Sequence, residues 1–238
     1  MEQWNGFSIE WFKFEEHDAA IVFPKTADAK KRVALKTEYF GAFPNAEVAL
    51  LEKGFHLIFI KNDNRWGTDA DIERKARFQK FVSEKYGLSE KCVPVGMSCG
   101  GLYGIKYAAK HPELVSCLYL DAPVVNYMSC PCGFGIGNPI SIEEILGALS
   151  LDSISDLLNY REMPFDYLPA LVKTKIPIIL VVGDSDQTVP YVENGINIKN
   201  AYEKAGNDIE VHIKPGCDHH PHGLSDPAPI VDFILKHS

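Results

Sequence analysis

The chain has no excess of positive charge: 24 Lys and Arg stand against 32 Asp and Glu, a formal net charge of −8. Phosphate backbones and anionic lipid call for a broad basic face, so nucleic acid is not an expected partner. Nor does any stretch approach the roughly 20 apolar residues of a membrane span. Met1-Glu2-Gln3-Trp4-Asn5 shows no basic region leading into an apolar core, so neither a membrane nor an export signal is expected. Ser/Gly tracts, charge blocks and internal repeats are missing as well. Without a linker, 238 residues with 46% hydrophobic content read as a single domain around one sizeable core. The six cysteines form no C-x-x-C pair, and Cys130-Pro131-Cys132 has no second pair with which to build a zinc site. Cys92, Cys99 and Cys117 fall in or beside expected core segments as small buried thiols, which suits a reducing cytoplasm.

What the chain does have is a change of rhythm. Its first third alternates short strand signals with turns: Phe7–Phe14, Ala19–Phe23 ended by Pro24, then Arg32–Thr37, which predicts consecutive antiparallel strands. Strand then alternates with helix: Phe55–Ile60, a helix over Asp69–Tyr86, the strand Lys91–Gly96, a helix over Leu102–Lys110, and Val115–Leu120. That alternation predicts a parallel sheet covered on both faces. About 50 residues then separate Asp121-Ala122-Pro123 from the strand Ile176–Val182, too long for an ordinary connection. With short helical stretches at Ile142–Leu149, Ile154–Asn159 and Tyr167–Val172, residues 124–175 read as a small helical cap inserted after the sixth strand. A helix over Tyr191–Ala205, a last strand Ile209–Lys214 and a helix over Pro227–Lys236 complete an α/β fold of eight mostly parallel strands.

The chemistry centres on Gly96-Met97-Ser98-Cys99-Gly100, placed where an apolar strand gives way to a helix. A G-x-S-x-G match arises by chance in roughly one chain in ten of this length, so the strand–turn–helix context carries the reading. The glycines let strand and helix approach while Ser98 takes a strained conformation that exposes its hydroxyl, the shape of a nucleophile elbow. An alcohol is a poor nucleophile at neutral pH, so Ser98 needs an imidazole base and a carboxylate to orient it. Asp186 follows a later strand in Gly183-Asp184-Ser185-Asp186-Gln187. Its alternative is a helix cap or Asx turn, Asp184 reads as a turn residue, and Asp121 is the rival acid. After the last strand comes Gly216-Cys217-Asp218-His219-His220-Pro221-His222, where His219 is the first choice for the base and His220 the second. Zinc is the competing use of this histidine group. No matching ligand set occurs elsewhere and Ser98 already accounts for a histidine, so no metal and no cofactor are expected. The backbone N–H of Cys99 faces the oxyanion position at a helix start, and the loop Glu38-Tyr39-Phe40-Gly41 should supply a second donor, from the N–H of Tyr39 or Glu38. Glu38, Phe40, Trp66 and Met128 are candidate substrate contacts, with ordinary packing the competing role for the aromatic ones.

The order Ser98, Asp186, His219 is that of the α/β-hydrolase superfamily, which the chain resembles over nearly its whole length. More narrowly, Tyr39-Phe40-Gly41-Ala42-Phe43-Pro44, the Ser98 block, Tyr119-Leu120-Asp121-Ala122-Pro123-Val124 and His219-His220-Pro221-His222-Gly223-Leu224 look like blocks of small bacterial serine hydrolases. These are similar to prolyl-oligopeptidase-type and acyl-esterase enzymes. The resemblance implies a cofactor-free serine hydrolase acting on a small-molecule carboxylic ester, such as a carbohydrate-linked acetyl or aromatic acyl group. Where related enzymes often carry Gly-x-Gly-His, this chain has Gly216-Cys217-Asp218-His219, and an Asp there could raise the pKa of its neighbour. A peptidase or amidase of the same fold is the second reading, and an idle hydrolase fold that binds a ligand is the third. A cap rich in Leu and Ile would equally serve to seal a homodimer instead of a pocket.

Overall fold

The computed structural model describes residues 2–238. Among these residues nine strands form one sheet: β1 (Gln3–Trp4), β2 (Phe7–Phe14), β3 (His17–Phe23), β4 (Val33–Lys36), β5 (His56–Ile60), β6 (Cys92–Met97), β7 (Leu118–Asp121), β8 (Ile178–Gly183) and β9 (Ile209–Lys214). The ninth strand, absent from the expected eight, is the two-residue β1, which folds back antiparallel onto β2 and is too short to show alternation. The expectation that Arg32–Thr37 continues the antiparallel run is corrected. The sheet order is β1-β2-β3-β5-β4-β6-β7-β8-β9, so β5 pairs antiparallel with β3 while β4 lies beyond it, parallel to both β5 and β6. From β5 to β9 every pairing is parallel. The central strands β6, β7 and β8 are buried along their whole length, as continuous apolar runs covered on both faces require.

Among the described residues the α-helices are α1 (Asn45–Glu52), α2 (Asp69–Tyr86), α3 (Cys99–Lys110), α4 (Ile142–Leu149), α5 (Ile154–Asn159), α6 (Pro164–Thr174), α7 (Gly195–Ala205) and α8 (Ala228–His237). The core divides accordingly. On one face Leu50 and Leu51 of α1 pack with Ile230, Phe233 and Ile234 of α8 against Val93, Val95 and Val181. On the other, Ile72 and Phe78 of α2, Leu102 and Tyr103 of α3, Leu171 of α6 and Ile198 of α7 cover Leu35, Leu118 and Leu180. Helix α2 has clear local limits: the Thr68 hydroxyl accepts from the Asp71 N–H at its start, and Gly87 ends it at φ +62°. The expected helix Tyr191–Ala205 is in fact a short 3-10 turn at Tyr191–Glu193 followed by α7, separated by Asn194 at φ −123° and ψ −88°.

Within residues 124–175, α6 packs against α3 and α7. The segment before it, with α4 and α5, reaches back over the C-terminal edge of the sheet. There Tyr127, fully buried, donates its hydroxyl to the Trp66 carbonyl at 2.7 Å. No helix among the described residues is long and apolar enough to cross a membrane.

Candidate active site

Ser98 stands between the C-terminus of β6 and the first turn of α3, at φ +53° and ψ −122°. A non-glycine residue pays for such a backbone, and the neighbours hold it there. The Ser98 N–H donates to the Asp121 carbonyl at 2.9 Å, and the Ser98 carbonyl accepts from Gly101 and Val124. Gly96 is needed for close approach: a Cβ there would lie 2.7 Å from the Gly100 carbonyl carbon and 2.9 Å from the Gly101 Cα. The turn thus binds sequence to geometry, since only a glycine lets strand and helix close to this distance.

The loops after β8 and β9 bring two further groups to the same edge. His219 Nδ1 lies 2.8 Å from Asp186 Oδ2, and His219 Nε2 lies 3.0 Å from Ser98 Oγ. With the Nδ1 proton given to Asp186, Nε2 is left to accept from the serine hydroxyl. Asp186 Oδ1 accepts from the N–H groups of Thr188 and Val189, both at 2.8 Å. Burial alone would raise the Asp186 carboxyl, but the His219 bond and charge together with these two N–H donors outweigh it and hold the pKa below the ordinary value. Asp218 is turned away from the ring. Its Oδ1 accepts from the N–H of Gln187 at 3.0 Å and of His219 at 2.7 Å, tying the β8 loop to the β9 loop. Asp184 accepts from the Gly216 N–H at 2.7 Å and serves the turn.

A second carboxylate–imidazole pair lies beside the first. His222 Nδ1 is 2.6 Å from Asp121 Oδ1, while Asp121 Oδ2 accepts from the Gly223 N–H at 2.6 Å and the Tyr119 hydroxyl at 3.0 Å. Asp121, the rival acid of the sequence, therefore serves His222 and makes no contact with His219. His220 is exposed and stacks on Phe43 with ring centroids 5.3 Å apart.

Ser98, His219, His220 and His222 line a cavity of about 320 Å³ together with Tyr39, Phe43, Arg65, Cys99, Ile140 and Thr188. A larger cavity of about 590 Å³ between α6 and α7 is mostly apolar and is lined by no Ser, Cys, His, Asp or Glu. The four expected substrate contacts, Glu38, Phe40, Trp66 and Met128, are not among the residues that line the Ser98 cavity. Phe40 belongs to an aromatic cluster with Trp4, Trp11 and Phe59. Trp66 is fully buried, its indole N–H donating to Glu144 Oε1 at 3.0 Å. Met128 lines a separate cavity with Ser129 and Glu193. Glu38 is held by the Asn62 amide and by the Tyr39 N–H, the latter at 3.2 Å.

That last contact also occupies the backbone donor expected from Tyr39. Its phenol instead lies at the cavity beside the Cys99 thiol and Arg65. Burial, reinforced by Cys99, pushes the phenol pKa up, so the group stays protonated and able to donate. The Cys99 N–H, at the first position of α3, has no acceptor within its own helix. Arg65 was not singled out in the sequence. It forms a two-pronged ion pair with Glu144, at 2.7 and 2.6 Å, and so joins the cavity wall to α4. Nothing local in Asn64-Arg65-Trp66 signals this, since the partner is 79 residues away.

A mostly parallel sheet with a serine elbow after a central strand, and an acid and a histidine after later strands, defines the α/β-hydrolase fold, and the chain has that fold. Residues 60–237 match the model of the prolyl oligopeptidase family, and the chain belongs to that family. Among solved structures it is similar to the acylaminoacyl peptidase of Pyrococcus horikoshii (TM-score 0.69, 16% identity, 90% of this chain and 38% of the other). It therefore spans well under half the length of that enzyme. It is similar also to an alpha/beta hydrolase enzyme from the metagenome of lagoon sediments at Mar Chica, Morocco (TM-score 0.57, 13% identity, 95% and 96% of the two chains). A third neighbour is a bacterial membrane phospholipase A (TM-score 0.63, 18% identity, 97% and 86%). At these identities the likeness is one of fold.

Proposed function

We propose that the protein hydrolyses a carboxylic ester through an acyl-enzyme on Ser98. The observation that carries this reading is the lining of the cavity. Among the described residues its only permanent charge is the Arg65 guanidinium, and no lining residue is an Asp or Glu. A peptidase that holds a substrate by its charged amino terminus needs a carboxylate facing that amine. Glu144 of the cap is already paired with Arg65, and Glu38 with Asn62 and the Tyr39 N–H. The lining suits a neutral or anionic ester, including the acylated carbohydrate that the sequence resemblance implies.

In this mechanism Ser98 Oγ attacks the ester carbonyl while His219 Nε2 takes its proton, and Asp186 holds the ring and stabilises the imidazolium. The oxyanion is met by the Cys99 N–H and by the Tyr39 phenol O–H, the latter replacing the expected backbone donor. The imidazolium returns its proton to the departing alkoxide. Water, deprotonated by His219, then attacks the acyl carbon and releases the acid and free Ser98.

A paired assay separates the two readings of this site. The expected result is that an acyl ester and the amide of the same acyl group differ strongly in kcat/KM, in favour of the ester. Equal or greater turnover of an aminoacyl amide bearing a free amino terminus would replace the esterase reading with the peptidase one.

A further inference from the structure

The β9 loop gathers more imidazole than the serine chemistry uses. His219, His220 and His222 each offer a ring nitrogen, and these three atoms lie within 4.8 Å of one another. Their ring centroids are 4.8 to 5.0 Å apart, and all three rings line the Ser98 cavity. Two of the rings are built as metal-ligating histidines usually are, with Nδ1 bound to a carboxylate that fixes the tautomer and makes Nε2 the free, more basic donor. His219 has Asp186 in that role and His222 has Asp121, and all four side chains are at least nine-tenths buried. The third, His220, is exposed and can turn on its own side-chain bonds.

We infer that these three histidines form an acceptor site for a divalent transition cation of the zinc class, and that its occupation silences Ser98. Three neutral imidazoles leaving one position open make up a donor set of the right softness for such a cation. Metal–nitrogen bonds of about 2.0–2.1 Å put tetrahedral ligand atoms roughly 3.4 Å apart, so ring nitrogens now up to 4.8 Å apart need to close by up to about 1.4 Å. The electron pair that His219 Nε2 gives to the metal is the one that accepts the Ser98 proton, and the two uses exclude each other. Coordination and base catalysis therefore compete for one atom, and the site is inhibitory and reversible.

The test uses chelator-stripped full-length protein and zinc ion. Calorimetric titration of Ser98→Ala, which keeps all three rings, should show one equivalent bound. His220→Ala in the same background should weaken that binding by at least about tenfold. In the wild type, zinc should abolish hydrolysis of p-nitrophenyl acetate and a chelator should restore it. With each rate taken relative to the same enzyme without zinc, the His220→Ala enzyme should remain active at the zinc concentration that silences the wild type. No stoichiometric binding, or binding that His220→Ala leaves unchanged, would overturn the site. The inhibitory arm rests on the role proposed for His219, but the binding arm does not. Absence of ester hydrolysis by the wild type would sink the esterase reading while calorimetry still decided the metal site.

Discussion

Two carboxylates hold two imidazoles within one loop, and exchanging each for its amide separates their roles. In Asp186→Asn the amide can offer an N–H to His219 Nδ1, which favours the tautomer with the proton on Nε2. That proton then points at Ser98 Oγ, 3.0 Å away, and the ring can no longer accept. A wrong tautomer in this arrangement costs about four orders of magnitude in kcat, or about 5.4 kcal/mol of barrier. Asp121→Asn disturbs His222, Gly223 and Tyr119 but leaves the His219 tautomer alone. It should lower stability by about 1–3 kcal/mol through its weakened buried hydrogen bonds and change kcat by less than about tenfold. Single-turnover hydrolysis of a p-nitrophenyl ester, with urea denaturation alongside, measures both. If Asp121→Asn is as disabling as Asp186→Asn while remaining folded, the acid has been assigned to the wrong strand. The pH dependence has a definite sign. The folded pKa of Asp186 lies below its unfolded value of about 3.9, so its contribution to stability is present above that value and lost as pH falls through the folded pKa. The stability gap between wild type and Asp186→Asn should therefore narrow as the medium is acidified below about pH 4.

Three further outcomes follow from packing. Gly96→Ala presses a Cβ onto Gly100 and Gly101, and should cost at least about 1–3 kcal/mol, seen as a fall in Tm of several degrees. Lys36 and Glu47 form a buried ion pair, both about 98–99% shielded, with Lys36 Nζ also 3.7 Å from Met97 Sδ beside the elbow. Lys36→Met alone should lose about 3–5 kcal/mol in urea denaturation, and adding Glu47→Leu should recover most of it. Additive losses would show that the pair is not coupled. Burial pushes the thiols of Cys92, Cys99, Cys117, Cys130 and Cys132 up, Cys99 to about 11 and Cys117 to about 12. A thiol reagent at neutral pH should modify the partly exposed Cys217 rapidly and those five only on unfolding.

The features legible in the sequence were those written locally. The Asp69–Tyr86 helix carries its own cap and left-handed glycine, and the Ser98 turn carries small residues at fixed offsets. What escaped depends on residues distant in the chain. The crossing of β4 and β5 is a choice of neighbours that strand composition does not record. Helix α1 follows Pro44 with apolar residues at every position from Ala46 to Leu51 except Glu47, so no clear stripe marks it. Phe40 and Trp66, candidate substrate contacts with packing as their competing role, are held by distant partners, Trp4 of β1 and Glu144 of α4. The pairings of Arg65 with Glu144 and of His222 with Asp121 each join segments about 80–100 residues apart, beyond any local pattern.

The most direct measurement is hydrolysis of short-chain p-nitrophenyl esters by the purified protein beside its Ser98→Ala variant, with a mass spectrum of the acyl-enzyme trapped during turnover. The account predicts turnover by the wild type, none above background in the variant, and one acyl group carried on Ser98. Undiminished hydrolysis by a folded Ser98→Ala protein, or an acyl group on another residue, would contradict it.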